Sequence, residues 1–463
     1  MKNGTKDMIH GSPMKLILGF AVPMLLGLLF QQFYSMVDTI IVGRWLGIDS
    51  LAAVGSTGSI NFMIIGFCMG VCSGFAIPVA QKFGAGDYKA LRKYAANSIW
   101  LSLILSVFMT FLVCFFCMDI LEIMDTPENI ILEAYKYIFI IFAGIPATYL
   151  YNLLSGIIRS LGDSRTPVYF LIFSALLNII LDVISIKVFG MGVEGPALAT
   201  VISQGISGVL CIVFIVKKFE ILHIDKDEWK PDIQYMKNLM AMGIPMGLQY
   251  SITAIGSVVL QTAVNRLGSS AVAAITAGTK VSMFFCCAYE ALGGTMATYA
   301  GQNVGAGKLD RISKGLKSSV IIGFIYSAVS AVILIFFGKS IALLFMEANE
   351  TLILEQVHYF LIVNSLAYVL LTLVNTVRFC IQGMGFSVFA IIAGICEMVA
   401  RALVGFGFVP VFGYSAACFA SPLAWLMADI FLVPAFFLCI KKLKNRETEY
   451  KENDAMELNC CKN

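Results

Sequence analysis

Two aspartates, Asp38 and Asp182, stand inside long apolar runs of the first half of the chain. Tyr34 lies one helical turn before Asp38, and Asn178 one turn before Asp182, so each pair shares a helix face. A lone carboxylate at the centre of a bilayer costs about 2.5–3.5 kcal/mol, so its presence there points to function. The first half has no lysine or arginine at membrane depth; Arg44 and Lys187 stand only at the outer ends of spans. Two carboxylates drawn out of water without a cation favour taking up a proton. With the Asn178 amide oxygen they equally suit a bare cation such as sodium. Blander readings remain for each residue. Asp38 can be an interfacial carboxylate beside Arg44, and Asp182 and Asn178 can be hydrogen-bonding glue between helices.

The second half carries Lys280, Glu290, Arg378, Glu397, Arg401 and Asp429 within apolar sequence. Glu397 and Arg401 are spaced i, i+4 and read as a structural pair. Glu290 can pair with Lys280 or Arg378, or can face a cationic substrate. Met283, Phe284, Phe285 and Tyr289 cluster beside it, and Met63 and Phe67 share another span. Methionine and aromatic faces accept flat lipophilic cations, although such residues also serve simply to face lipid. Gln31, Met63, Met283, Tyr289 and Glu290 are the candidates for a substrate cavity. Cys114-x-x-Cys117 has redox or zinc spacing, but its apolar setting reads as a buried inert thiol pair. No metal centre or cofactor is expected beyond a coupling ion.

The elements that must position these groups are membrane helices. Hydrophobic residues make up 59% of the chain and charged residues 13%, with a mean hydropathy of +0.85. About 12 runs are long enough to span a bilayer. The first is too long for a cleavable signal peptide. Junctions that alternate in charge place Lys82, Lys89, Arg92, Arg159, Arg165, Lys217, Lys218, Lys308, Arg311 and Lys441–Arg446 on one side. Asp119, Glu122, Asp125, Glu128, Glu347 and Glu350 fall on the other. This is the positive-inside pattern, with both termini cytoplasmic. The net charge of +3 reports that orientation and no affinity for nucleic acid. Cys460-Cys461 ends a charged tail that reads as disordered and reduced.

The chain is also written twice. Leu46-Gly47, Leu51-Ala52-Ala53-Val54, Gln81 and Gly84-Ala85-Gly86 return at a constant offset of 221 as Leu267-Gly268, Val272-Ala273-Ala274-Ile275, Gln302 and Gly305-Ala306-Gly307. Each copy holds six spans, so the repeats are parallel and related by an axis along the membrane normal. The expected fold is all-α, with twelve helices in two six-helix bundles. The expected divisions are an N-terminal segment 1–15, lobes 16–218 and 237–442 joined by a polar linker 219–236, and a tail 443–463. Gly66, Gly70 and Gly74 form small-xxx-small steps, mirrored by Cys287, Ala291 and Thr295. They read as permanent packing or as a sliding seam between lobes. Pro23, Pro78, Pro146 and Pro245 interrupt spans.

Phe30-Gln31-Gln32-Phe33-Tyr34-Ser35-Met36-Val37-Asp38-Thr39, Arg159-Ser160-Leu161-Gly162-Asp163-Ser164-Arg165-Thr166-Pro167 and Gly192-Val193-Glu194-Gly195-Pro196-Ala197 occur in this order. With Asn178 and Asp182, they give the chain a pattern that resembles the multidrug and toxic compound extrusion (MATE) family, in its bacterial DinF- and MepA-like branch, from about residue 13 to 442. The resemblance implies a V-shaped exporter in a bacterial plasma membrane that exchanges organic cations or other toxic compounds for protons or sodium. It implies a coupling site of Asp38, Asn178 and Asp182 with Tyr34, Asn152 and Thr200, and a bending proline at Pro23. The NorM-like branch adds carboxylates in the seventh and tenth helices. Here the seventh has none and the tenth only Glu355, at its outer end.

The reading is a monomeric antiporter, not an enzyme, whose partners are small-molecule drugs and the lipid bilayer. A lipid-linked oligosaccharide flippase or a narrow metabolite exporter is the alternative, left open by Lys280, Arg378 and Arg401. A membrane-embedded enzyme is remote, because His10, His223 and His358 are far apart and no loop exceeds about 20 residues.

Overall fold

The computed structural model describes residues 7–124, 126–343 and 350–460, and among them every regular element is a helix. Asp125, Glu347 and Cys461 lie outside the described residues. The spans of the first half are α1 (Pro13–Trp45), α2 (Gly58–Ala85), α3 (Tyr88–Phe115), α4 (Ile131–Ala143 and Ile145–Ser160), α5 (Arg165–Lys187) and α6 (Glu194–Lys218). Those of the second are α7 (Ile233–Asn265), α8 (Ser269–Gly305), α9 (Leu309–Ala342), α10 (Thr351–Leu366 and Tyr368–Gly383), α11 (Val388–Leu403) and α12 (Tyr414–Cys460). α11 runs on through a π-helical turn at Val404–Phe408. Among the described residues ten helices are long and apolar enough to cross a membrane, and twelve spans result when the bent pairs of α4 and α10 each count as one.

The two bends are equivalent, 44° in α4 and 49° in α10. Pro146 opens the second segment of α4. Pro23, Pro78 and Pro245, by contrast, lie within continuous helices. Turn chemistry sets several helix starts. Asp87 accepts from the Ala90 N–H, Asp163 from those of Arg165 and Thr166, and Asp232 from that of Gln234. The left-handed glycines repeat with the fold: Gly47 with Gly268, Gly86 with Gly307, Gly162 with Gly385 and Gly190 with Gly413. A side chain is strained at such a φ, so each turn keeps glycine in both copies.

Each half has its own apolar core, but the halves exchange their first turns. Met8, Ile17 and Phe20 pack into the core of the second half, and Leu239 of α7 into that of the first. The glycine stripe of α2 lies on the seam between halves. A Cβ on Gly70 would sit 2.5 Å from the Met246 carbonyl oxygen, and one on Gly74 2.5 Å from the Gly243 Cα. α2 and α7 therefore touch backbone to backbone. The seam between α1 and α8 is looser, since a Cβ on Gly294 meets only the flexible tip of Met24.

At one end of the bundle the halves are shut. The Gln302 side chain donates to the Ser160 carbonyl at 2.8 Å and accepts from the Met8 N–H at 2.8 Å. Gln81, its counterpart, donates to the Gly383 carbonyl at 3.0 Å. Lys308 and Arg311 donate to the carbonyls of Ile9 and Gly11, and Lys444 pairs with Asp310. The N-terminal segment and the basic stretch after the last span thus meet at the same end. The tail expected to be disordered is instead a continuation of α12 as far as Cys460.

Candidate functional site

A cavity of about 380 Å³ opens between the halves, walled mainly by the first. On α2 the wall is the stripe Asn61, Ile65, Met69, Ser73, Ala76 and Ala80, one helix face at spacings of three and four. Asp38, Arg159 and Glu290 are the charged residues that line it.

α1 and α5 pack together, and this brings the two aspartates into one place. Asp38 borders the cavity, whereas Asp182 lies behind the wall and is fully buried. Their carboxyl groups stand close enough to share a hydrogen bond when one is protonated. Asn178, also buried, donates its Nδ2 to Thr200 Oγ1 of α6 at 3.3 Å, which turns its carbonyl oxygen away from that bond. Asp38 Oδ1, both Asp182 oxygens and Asn178 Oδ1 are buried with no hydrogen-bond partner among the described residues. Asp38 does not pair with Arg44. Tyr34 lies within electrostatic reach of both carboxylates, and so does Tyr137 of α4.

A cluster of acceptors without donors is costly to bury. Its cost falls when a proton or a small cation enters among the oxygens. Asn152 stands further along the wall, its amide donating to the Thr148 carbonyl at 2.8 Å, while Thr148 Oγ1 donates to Gln204 at 2.8 Å. Among the described residues no group of three or more His, Cys, Asp or Glu could hold a metal ion in the usual way.

Of the substrate candidates, Gln31 and Glu290 line the cavity. Three others stand elsewhere. Met63 is two residues from both Asn61 and Ile65, so it points away from the α2 stripe and packs against the first-half core. Tyr289 is one residue off the α8 wall of Glu290, Gly294, Ala297 and Thr298. It is fully buried, with its hydroxyl 3.0 Å from Ser327 Oγ and its ring between Tyr326 and Tyr368. Met283 shares the face of Glu290 but lies two turns nearer the start of α8, beyond the wall and largely exposed. Pro23 is not on the wall either; its neighbour Met24 is.

The second-half charges settle into their own network. Glu397 accepts from Arg378 and from Arg401, the latter at 3.5 Å, and all three are buried. Glu290 therefore has neither Arg378 nor Lys280 as a partner, and it faces the cavity. Cys114 and Cys117 are free thiols at the junction of two helices, with Cys117 buried and Cys114 only half-buried, not a pair buried mid-span. Sequence reasoning missed Tyr137, Gln204 and Tyr250, which also line the cavity.

Comparison with known proteins bears on the family and the fold. The model of the MatE family matches residues 23–184 and again 245–406, one copy on each half. A probable multidrug resistance protein, YoeA of Bacillus subtilis, is 31% identical over 76% of this chain and 77% of its own length. The multidrug export protein MepA of Staphylococcus haemolyticus is 23% identical over 83% of this chain and 85% of its own. A multidrug resistance transporter of the MATE family, solved in an outward-facing conformation, superposes with a TM-score of 0.88. It covers 96% of this chain and 99% of that one at 23% identity.

Proposed function

Because this chain belongs to the MatE family of multidrug and toxic compound extrusion transporters, we propose that it is a secondary active multidrug exporter driven by protons or sodium. The observation that carries the reading is the set of four unpartnered acceptor oxygens on Asp38, Asn178 and Asp182, placed beside a drug-sized cavity. The shut end carries the basic junctions, so by the positive-inside rule it faces the cytoplasm, with both termini. The cavity is then loaded on its way outward from a bacterial plasma membrane. A proton or a sodium ion reaches Asp38 from the cavity and is shared with Asp182 behind it. Neutralising the pair removes the attraction for a cationic drug and relieves the buried acceptors together. Tyr34, Asn152 and Thr200 position that site, and α1, with Pro23, is the element that responds. The protein works as a monomer and without a cofactor, and it catalyses no reaction.

The test is ethidium efflux from pump-deficient bacteria carrying wild type, Asp38→Asn or Asp182→Asn. It is run with and without a protonophore and with and without sodium. The expected result is wild-type efflux that collapses when the driving ion gradient is removed, and no efflux from either variant at normal membrane levels. Full activity in both variants would overturn the mechanism.

A further inference from the structure

Two charges on the cavity wall take no part in the coupling cluster. Arg159 ends the second segment of α4 in the first half, and Glu290 stands mid-way along α8 in the second. Neither side chain makes a hydrogen bond or an ion pair among the described residues. They act on one another electrostatically, yet they are farther apart than a salt bridge. Tyr250 of α7 lies within the field of both and also lines the wall. The same cavity wall carries aromatic and amide groups, including Tyr250, Phe379 and Asn152.

Arg159 is half-buried on the wall and has no salt-bridge partner among the described residues, so its guanidinium is free to pair with an anion that enters the cavity. Its planar fork fits a carboxylate through two parallel hydrogen bonds. A simple organic cation does nothing for Arg159 and is repelled by it. A molecule with an anion at one end and a cation at the other satisfies Arg159 and Glu290 at once. The aromatic lining between them suits a flat body joining the two ends.

We propose that Arg159 is an anion-binding subsite and that the preferred cargo is an aromatic zwitterion, its carboxylate held by Arg159 and its cationic nitrogen by Glu290. This rests on the export reading of the same cavity. It predicts that the pump ranks compounds by the presence of an acid group, beyond lipophilicity and positive charge.

The matched probes are rhodamine B, which has a free carboxylate, and its ethyl ester, which is a plain cation on the same ring system. Binding to purified full-length protein is followed by fluorescence anisotropy, and export by efflux from intact cells. Wild type is expected to bind the free acid at least about tenfold more tightly than the ester, the scale of one charge-assisted pair. Arg159→Gln should erase that preference, and Arg159→Lys, which keeps the charge but loses the fork, should retain part of it. Equal affinity of wild type for both dyes, or the same ratio in wild type and Arg159→Gln, would overturn the proposal without any appeal to folding. Ethidium efflux separates the two readings. If ethidium is exported but the acid is not preferred, the subsite fails and the exporter stands. If ethidium is not exported either, the exporter reading fails with it.

Discussion

Gly84 and Gly305 occupy equivalent places about the pseudo-two-fold axis, and each lies against the backbone of the opposite half. A Cβ on Gly84 would stand 1.9 Å from the Gln302 carbonyl oxygen, and one on Gly305 1.7 Å from that of Gln81. The ends of α2 and α8 therefore cross with nothing between them. This crossing, together with the bonds that Gln302 and Gln81 make across the halves, shuts one end of the cavity.

Even a single methyl must then force the halves apart. Overpacking of this kind costs about 1–3 kcal/mol, which would deplete the shut state by about five- to a hundredfold. Gly84→Ala and Gly305→Ala should each slow ethidium efflux at matched membrane levels. Gly55→Ala is the control, because a Cβ there meets nothing within 4 Å. Wild-type rates in both seam variants would mean that the closure does not depend on this contact.

Asp38 and Asp182 stand within hydrogen-bonding reach of each other, so under the proposed mechanism their substitutions should not add. Once one carboxylate is replaced by an amide, the other no longer faces a charged neighbour, and the shared site is already lost. Asp38→Asn combined with Asp182→Asn should export no worse than either single variant. Asn178→Leu, which removes one acceptor and the bond to Thr200 but neither carboxylate, should retain part of the activity. Initial efflux rates for the four proteins would check both statements, and strict additivity of the two aspartates would show separate roles.

The spans and the shared face of Asn178 and Asp182 were legible in the sequence for simple reasons. Bilayer helices need long apolar runs, and buried polar residues at i, i+4 must share a face, as Asn178 and Asp182 do. The rest of the cavity wall was not legible in the same way. Whether Met63, Met283 or Tyr289 faces the cavity depends on how its helix is rotated against partners from elsewhere in the chain. For α2 that rotation is set by Gly70 and Gly74 on α7, a contact between residues far apart in sequence. Arg159 was read only as a marker of orientation. It lines the cavity from the last turn of α4, beyond the bend at Gly144. Glu290 had two possible partners on paper, and it is left free because Arg378 is taken by Glu397.

That choice makes Glu397 a keystone for stability. It accepts from two buried guanidiniums, and Arg378 Nε and Arg401 Nη1 already lack partners among the described residues. Removing the carboxylate leaves two buried guanidiniums with no hydrogen-bonded counter-charge, since Asp429 acts on Arg378 only electrostatically. Breaking a buried ion pair from one side costs about 3–5 kcal/mol. Glu397→Ala should lower the thermal midpoint of the purified protein clearly more than Lys280→Ala, which removes an exposed side chain. Equal midpoints would show that the network contributes little.

The connection between the halves offers a pH handle outside the membrane. Arg92 holds Glu228 with two bonds, Nε to Oε2 at 2.6 Å and Nη2 to Oε1 at 2.8 Å, and the Asp225 N–H donates to the same carboxylate. The bond from Arg92 is the main cause that keeps the Glu228 carboxyl below its ordinary range. An unfolded glutamate titrates near about 4.3. Because the folded value is lower, the stabilisation is complete above that pH and is lost as the pH falls through the folded value. Trp100 Nε1 donates to the Trp229 carbonyl, and the Asp232 N–H donates to Asn97, so the connection also has anchors that do not titrate in this range. Acid should therefore loosen the stretch around Glu228 before it unfolds the bundle. Limited proteolysis across 219–232 should accelerate below about pH 4 in wild type. In Glu228→Gln, cleavage should be faster than wild type at neutral pH and nearly independent of pH over the same range. A wild-type cleavage rate that stays flat down to the pH of global unfolding would show that the Arg92–Glu228 pair is not what fastens the connection.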